Sequence, residues 1–478
     1  VSLELAKQLI NQQDWVGAMQ AIEPHMERFP SDPMGLFCFG QIMLETGKQS
    51  IAYTIYKRVT QLEPKRPEGW INMGKSAGEL HFYDEEEACF RKALKLAKAQ
   101  QNELAEFIAT QNIATCAVHR TEPDKAIHWA KKALAMKETN QSRVDLGFSY
   151  LMKGNFKDGW PNYNAGMGIS EFRNIKNYNG EPEWDGSHGK RVVVYGEQGL
   201  GDQIAFAAAV KDARRICKSV TLHVNPKIAK LLGRSLILES HGYGPQDDMG
   251  WAENRELDAS CPLSKIQEYF RDEPHKFTGK PFLVADPMRR LQWRALFESL
   301  GYKPKIGIAW TGGVQTTQKE SRSTELENLL PLLKQDVTWV NLEYKDKTEE
   351  IQALERKHGI KIHDFPWALQ TSDYDDTAAL VAELDLVISV PTSVVHLAGG
   401  LGVSCWCMLH PNPHFLFGLA GDSMPFYNSV RLFRRKKGWD ILNQLSENLN
   451  EFRHHYTCRS RPRRIAPESN ELGAGCHA

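Results

Sequence analysis

Three short stretches place reactive side chains where the chain should turn. The first, VVVYGEQGLGDQIAF (192–206), runs a β-branched segment into Gly196, Gly199 and Gly201, and then into Asp202. Glycines here remove side chains where a substrate approaches and permit positive φ. Asp202 opens a helix pattern, where a carboxylate caps free N–H groups, and capping alone accounts for an aspartate there. A helix N-terminus also stabilises the charged carboxylate and lowers its basicity, so a general base at this position needs some desolvation. The spacing departs from GxGxxG after Gly201, which weakens a dinucleotide reading. The second stretch, GIAWTGG (307–313), is a strand pattern ending in a small-residue turn, followed by Arg322 and Ser323 before a helix. Thr311, the Gly312–Gly313 backbone and Arg322 can together hold a diphosphate, although Arg322 alone reads as an exposed loop arginine. The third, DLVISVPTSVVHLAGGLG (385–402), sends a buried strand into Pro391-Thr392-Ser393 and a short helix carrying His396. Thr392 and Ser393 are natural caps whose N–H groups and hydroxyls point at an anion, with His396 less than one turn on. A lone helical histidine is more often structural, and only the neighbouring cap lifts this one. DYDD (373–376) contains Asp-x-Asp but precedes TAALVAEL, so it reads as a charge cluster at a helix start.

Strand and helix patterns must position these turns. From residue 190, strand-like runs occur at 191–195, 219–224, 305–310, 337–343, 360–365, 384–390 and 403–409. Helical patterns at 203–217, 324–334, 347–358 and 377–383 separate most of them. Such alternation predicts parallel sheets covered on both faces, with ligands at the carboxyl ends of the strands. A helical connector at 287–301 divides the region into two units facing a cleft.

The first third is organised differently. Gly40 and Gly74 are 34 apart, as are Pro30 and Pro64. The pattern Phe39-Gly40, Ala52, Tyr56 recurs as Met73-Gly74, Phe90, Ala93, then as Ala126 and Ala133, and again from Leu146-Gly147 and Tyr150. This resembles the tetratricopeptide repeat, in four to five units over residues 1–165. Glu86 stands where that pattern expects alanine, and one unit is lengthened near 98–107. Stacked helix pairs make a superhelix whose concave face suits a partner, or serve only as a scaffold.

Composition sets outer limits. At 478 residues, two or three domains are expected. Basic and acidic residues balance at 59 each, which disfavours nucleic acid as a whole-chain partner. The local runs RLFRRKK (431–437) and RSRPRR (459–464) read as solvated surface. No apolar stretch approaches the roughly 20 residues of a membrane span. The N-terminus reads as an amphipathic helix, not a signal peptide. Nine scattered cysteines lack any CxxC, and Cys405 and Cys407 fit core packing, so a reducing cytoplasm is the expected location.

Together, GEQGLGDQIAF, PEWDGSHGK (182–190), IAWTGG…SRS and DTAALVAELDLVISVPTSVVHLAGGLGV resemble tetratricopeptide-linked relatives of the heptosyltransferases, GT-B glycosyltransferases of the ADP-heptose:lipopolysaccharide type. GNFKDGWPNY (154–163) and MPFYNSVRLFRRKKGWD (424–440) also resemble segments of that group. The resemblance implies a repeat domain (1–165), a linker (166–189), an acceptor lobe with its connecting helix (190–300), a donor lobe (301–455) and a tail (456–478). It implies Asp202 as catalytic base, beside an acceptor-side loop of Gln198, Gly199 and Gly201. Thr311, Gly312 and Arg322 match positions near the donor phosphates, and Thr392, Ser393 and His396 the diphosphate loop. Glu343, Asp364 and Phe365 match the nucleoside end. Relatives commonly carry aspartate where this chain has Pro391, which removes both an acid and an N–H from the loop.

The expected fold is therefore a helical superhelix followed by a GT-B pair of Rossmann-like lobes. The expected activity is inverting transfer from a nucleoside-diphosphate sugar to a glycan or macromolecular hydroxyl, without metal or cofactor. Pro391 and the repeats motivate a second reading, an interaction protein that binds nucleotide or glycan without turnover. An NAD-dependent oxidoreductase is poorly supported by the glycine spacing.

Overall fold

The structure, a computed structural model, describes residues 2–169, 173–243, 249–313, 322–436 and 438–458. The basic run at 459–464 and Lys437 lie outside the described residues. The chain divides into two compact bodies, one of residues 1–225, 236–279 and 412–426, the other of 226–235, 280–411 and 427 onward.

The first body opens with ten helices in five consecutive packed pairs: α1 (Ser2–Asn11), α2 (Trp15–Arg28), α3 (Pro33–Glu45), α4 (Gln49–Leu62), α5 (Pro67–Glu79), α6 (Tyr83–Ala99), α7 (Glu103–His119), α8 (Pro123–Met136), α9 (Asn140–Met152) and α10 (Phe156–Asn164). Proline begins α3, α5 and α8, where its missing N–H costs nothing. Asp32 also caps α3, and Asp14, Asn102, Thr139 and Asn155 cap other starts, all with side-chain hydrogen bonds. The repeat spacing has a packing cause. A Cβ on Gly40 would lie 2.9 Å from the Tyr56 ring, one on Gly74 2.7 Å from Phe90, and one on Gly147 2.2 Å from the Tyr163 backbone. Each pair is separated by sixteen residues, as are Ala114 and Ala130, which occupy the same places with two small side chains.

The helical array continues into a parallel α/β sheet within the same body. Its strands β1 (Arg191–Tyr195), β2 (Ser219–Val224), β3 (Glu239–Gly242) and β4 (Ala259–Pro262) are ordered β3-β2-β1-β4, and every pairing is parallel. The expected helix 203–217 is interrupted, forming α11 (Leu200–Ala207) and α12 (Val210–Ile216). Trp160 of α10 donates Nε1–H to the Arg271 carbonyl (2.8 Å), and Asn164 donates to Glu268 (2.7 Å), so the last repeat is fixed to the sheet's own helix, Leu263–Phe270. The PEWD segment adds a parallel bridge, Glu183 to Ser260, and buries Trp184.

The second body holds β5 (Lys305–Ala309), β6 (Thr338–Asn341), β7 (Ile362–His363), β8 (Leu386–Ser389), β9 (Cys405–Leu409) and a strand at Tyr427–Arg434. They run in the order 427–434, β9, β8, β5, β6, β7, and every pairing is parallel. The central strands are buried throughout, with Ile306, Ile308, Trp310, Ile388 and Met408 in one core. Cys405 and Cys407 on β9 are fully buried, in keeping with core packing. The connector expected at 287–301 forms the helix Pro287–Ser299, capped by Asp286.

Candidate functional site

In the first body, β1 is buried from Val192 to Tyr195 and delivers the chain to the glycine turn. Gly196 is required by a close approach: a Cβ there would sit 2.2 Å from the Gln203 amide oxygen. That amide pins the turn, donating to the Gln198 carbonyl (2.6 Å) and to Tyr243 Oη (2.8 Å), and accepting from the Asn225 N–H (2.9 Å). Gln198 accepts from Tyr163 Oη (2.8 Å), which ties the turn to the last repeat helix. Two expectations are corrected. Gly199 has φ −59°, and neither it nor Gly201 is among the positive-φ residues, so neither forms a left-handed turn. The N-cap of α11 is Gly199, not Asp202, which is the third helical residue and half-buried. A first-turn carboxylate still feels the helix N-terminus, so its charged form is favoured. The tyrosine hydroxyl at 163 is pushed up by burial, with the Asp202 and Glu197 charges adding and Arg173 opposing.

Glu197, which sequence reasoning missed, is the second carboxyl of this turn. It is buried, accepts from the Ser264 N–H (3.3 Å) and from Gln198 Nε2 (3.2 Å), and burial raises its pKa. Its only sequence signal was a charged residue two positions past the end of a buried strand.

In the second body the expected residues cluster at the carboxyl ends of parallel strands. After β5, a Cβ on Gly312 would lie 3.2 Å from both Cβ and the carbonyl of Arg322, so glycine lets the Arg322 segment lie close. Ser323 Oγ accepts from Gly312 N–H (3.0 Å), and Trp310 O accepts from Thr324 N–H (2.9 Å). Arg322 donates Nη2–H to the Pro391 carbonyl, which brings it to the loop after β8. That acceptor is a backbone carbonyl, which does not depend on the residue type at 391.

Thr392 is the N-cap of the helix Ser393–Leu401, but its side chain makes no capping bond. Its hydroxyl instead lies 3.2 Å from Ser389 Oγ, and Tyr374 Oη donates to Ser393 Oγ (3.3 Å). The first N–H groups of a helix have no intrahelical acceptor, so an end without a side-chain cap is suited to an anion. His396 is buried beside Tyr427 (5.9 Å between ring centres). Burial, with the Arg322 charge adding, lowers its pKa to about 4, so at neutral pH it is an uncharged imidazole.

Three further basic side chains were not anticipated. His410 follows β9 and is likewise held at about 4 by burial, then by Arg322 and Arg435. Arg434 ends the strand 427–434 and Arg435 follows it, and burial pulls both below the ordinary arginine value. The surface reading of RLFRRKK therefore fails for Arg435, which is buried with its guanidinium 3.9 Å from the Trp439 ring centre, and for the half-buried Arg434. It holds for Arg431, which is exposed and bonded to Asn448. The strand's register on β9, which pairs Arg431 with Trp406 and Arg434 with Leu409, is what fixes their different surroundings, and the sequence alone does not show it.

Glu343, Asp364 and Thr311 form one polar chain across β5, β6 and β7. Glu343 accepts from the Trp310 and Thr311 N–H groups (2.6 Å each) and from the Thr311 hydroxyl. Asn341 accepts from Glu343 N–H and donates to Asp364 (2.8 Å each). Burial raises the Glu343 pKa while its hydrogen bonds to Thr311 and Trp310 oppose the shift. Both its oxygens are thus committed to shaping the β5 turn. Phe365 is buried against Trp293 (5.1 Å).

The Asp-x-Asp segment is a helix start. Asp373 accepts from Asp375 N–H (3.0 Å) and pairs with Arg289, Asp375 pairs with Arg234, and Asp376 with Arg289. Among the described residues no group of three or more His, Cys, Asp or Glu side chains is placed to hold a metal ion.

No family model matches the chain. Protein FlbA from Caulobacter vibrioides is 25% identical over 436 residues, covering 84% of this chain and 70% of that protein. Among solved structures, PilW, a type IV pilus biogenesis factor, is similar to the helical part, with TM-score 0.32 and 20% identity over 34% of this chain and 74% of its own. A glycosyl transferase family 9 structure from Veillonella parvula overlaps 56% of this chain and 93% of its own, with TM-score 0.40 and 12% identity. The architecture stands on the helix pairs and strand registers described above, not on these overlaps.

Proposed function

We propose that this chain is a glycosyltransferase that takes its sugar from a nucleoside diphosphate. The observation that carries the reading is the set of donors at one sheet edge: Arg322, His396, His410 and Arg435, beside a helix N-terminus without a side-chain cap. Such a set suits a diphosphate, because charge-assisted and backbone donors in a desolvated setting stabilise the negative charge of a departing phosphate. The ordered motifs shared with the heptosyltransferase group support the same substrate class.

The proposed chemistry is an inverting displacement. The acceptor hydroxyl oxygen forms a bond to the anomeric carbon as the bond from that carbon to the diphosphate oxygen breaks. The diphosphate leaves with the electron pair, and Asp202 accepts the hydroxyl proton. Of the two carboxyls of this turn, Asp202 is half-buried and within reach of an acceptor hydroxyl, whereas Glu197 is buried, which supports Asp202 as the base. Donor base, sugar and acceptor are the targets of a panel of nucleoside diphosphates and their sugars, read by thermal shift and then by hydrolysis of each stabilising compound. Stabilisation by one nucleoside class followed by donor hydrolysis is expected. No stabilisation by any of them overturns the proposal. Pro391 favours a second reading, in which the same loops bind nucleotide without turnover, and stabilisation with no hydrolysis or transfer selects it.

A further inference from the structure

Glu86 breaks the small-residue pattern of the repeats, and the surrounding structure is built to hold it. The side chain on α6 is only 3% exposed. Room for it comes from α5: a Cβ on Gly78 would lie 2.6 Å from its Oε1. No lysine or arginine pairs with the carboxylate. His119 Nδ1 is its basic neighbour, at 3.5 Å from Oε1, beyond good hydrogen-bond length. The other oxygen, Oε2, is buried without a hydrogen-bond partner. The thiol of Cys116, pushed up by burial, then by the Glu86 charge and a weak thiol hydrogen bond to Glu86, also donates to the carbonyl of Tyr83 (3.8 Å).

Glu86 borders a cavity of about 420 Å³ between the helix pairs. Asn112 and His119 border the same cavity, and Asn112 Nδ2 and His119 Nδ1 are two more buried atoms without a hydrogen-bond partner. The remaining charges on the wall are Glu45 and Glu79 against Lys75 and His119. Counting Glu86, three carboxylates face two basic groups. Leaving a buried acceptor and a buried donor unsatisfied costs about 1–3 kcal/mol each, more for a charged group, so the pair is a standing preference for a ligand.

We propose that this cavity receives a lysine or arginine side chain from a partner protein segment. The cation donates to Glu86 Oε2, and Asn112 Nδ2 donates to a carbonyl of the incoming backbone. A free polyamine satisfies only half of this arrangement, because an ammonium offers no acceptor for Asn112. A free amino acid brings an α-carboxylate into a wall that is already acidic. The site lies wholly within the repeats and does not depend on the transferase reading.

The test is an array of terminally blocked pentapeptides with random flanks and a fixed central arginine, lysine, citrulline or acetyl-lysine, probed with the labelled full chain. Arginine and lysine sets are expected to retain at least tenfold more protein than their neutral counterparts. Glu86→Gln removes that ratio, and Asn112→Ala lowers retention on all sets. Circular dichroism of both variants separates a lost contact from a lost fold, and if Glu86→Gln unfolds, the wild-type ratio and Asn112→Ala decide. Equal retention on charged and neutral sets, or no retention on any, overturns the proposal. Displacement of the peptide signal by spermidine as effectively as by free arginine peptide overturns the peptide source.

Discussion

Individual residues carry most of the chemistry proposed, and their protonation is set by burial more than by partners. Asp202→Asn keeps shape and hydrogen bonding but removes the proton acceptor. Transfer is expected to fall by at least about 10²-fold while the thermal shift given by donor is unchanged. Undiminished turnover in that variant excludes Asp202 as the base. Asp145 offers a test of the electrostatics away from that turn. It is buried, bonded to Thr115 (2.8 Å) and Gln141 (3.1 Å), and burial raises its pKa to about 7 against 3.8 unfolded. A carboxyl whose folded pKa is raised makes the native state bind more protons, so stability falls as pH rises from about 4 to 7. The full difference is worth up to ~4 kcal/mol. Asp145→Asn is expected to flatten that slope in denaturant unfolding, and an unchanged slope shows the carboxyl is not the source. His396 has the opposite sign. Its pKa falls to about 4, so its contribution is lost as pH drops from 6.5 toward that value.

At the scale of elements, what could be read from sequence followed periodicity, and what escaped had none. The buried strands 191–195 and 219–224 and the helix Thr348–His358 were legible because apolar runs and helical spacing are unbroken there. β3 is ESHG and β4 is ASCP, four residues each without a large apolar side chain, and only their pairing beside β1 and β2 makes them strands. The strand at 427–434 hid behind its arginines, which also hid the basic residues nearest the anion loops. The three turns themselves were legible, because small residues after a β-branched run mark a strand end. Which of their side chains are already spent on each other, as Glu343 is on Thr311, was not. The repeat spacing makes a direct prediction. Gly147→Ala would place a methyl 2.2 Å from the Tyr163 backbone nitrogen, which belongs to a neighbouring helix and cannot rotate away. Destabilisation of ~1–3 kcal/mol is expected by thermal unfolding. Because Tyr163 also holds Gln198, the variant should lose transfer beyond what its folded fraction explains. A melting temperature equal to wild type contradicts the packing account.

For the whole molecule, the proposal assigns the two bodies different roles. One combines five helix pairs with the sheet that bears Asp202, the other carries the anion-suited loops. No helix of the described residues is long and apolar enough to cross a membrane. A nucleoside diphosphate should therefore slow hydrogen exchange in 391–396 and 409–411 while leaving α1–α9 unchanged, and protection confined to the repeats contradicts that division. The most direct measurement is calorimetric titration of the stabilising nucleoside diphosphate into wild type and Arg322→Gln. The account predicts one site per chain in wild type, weakened about tenfold or more in the variant, as expected for losing a charge-assisted bond of ~1.5–3 kcal/mol. Absence of binding to wild type, or equal affinity in the two proteins, contradicts it.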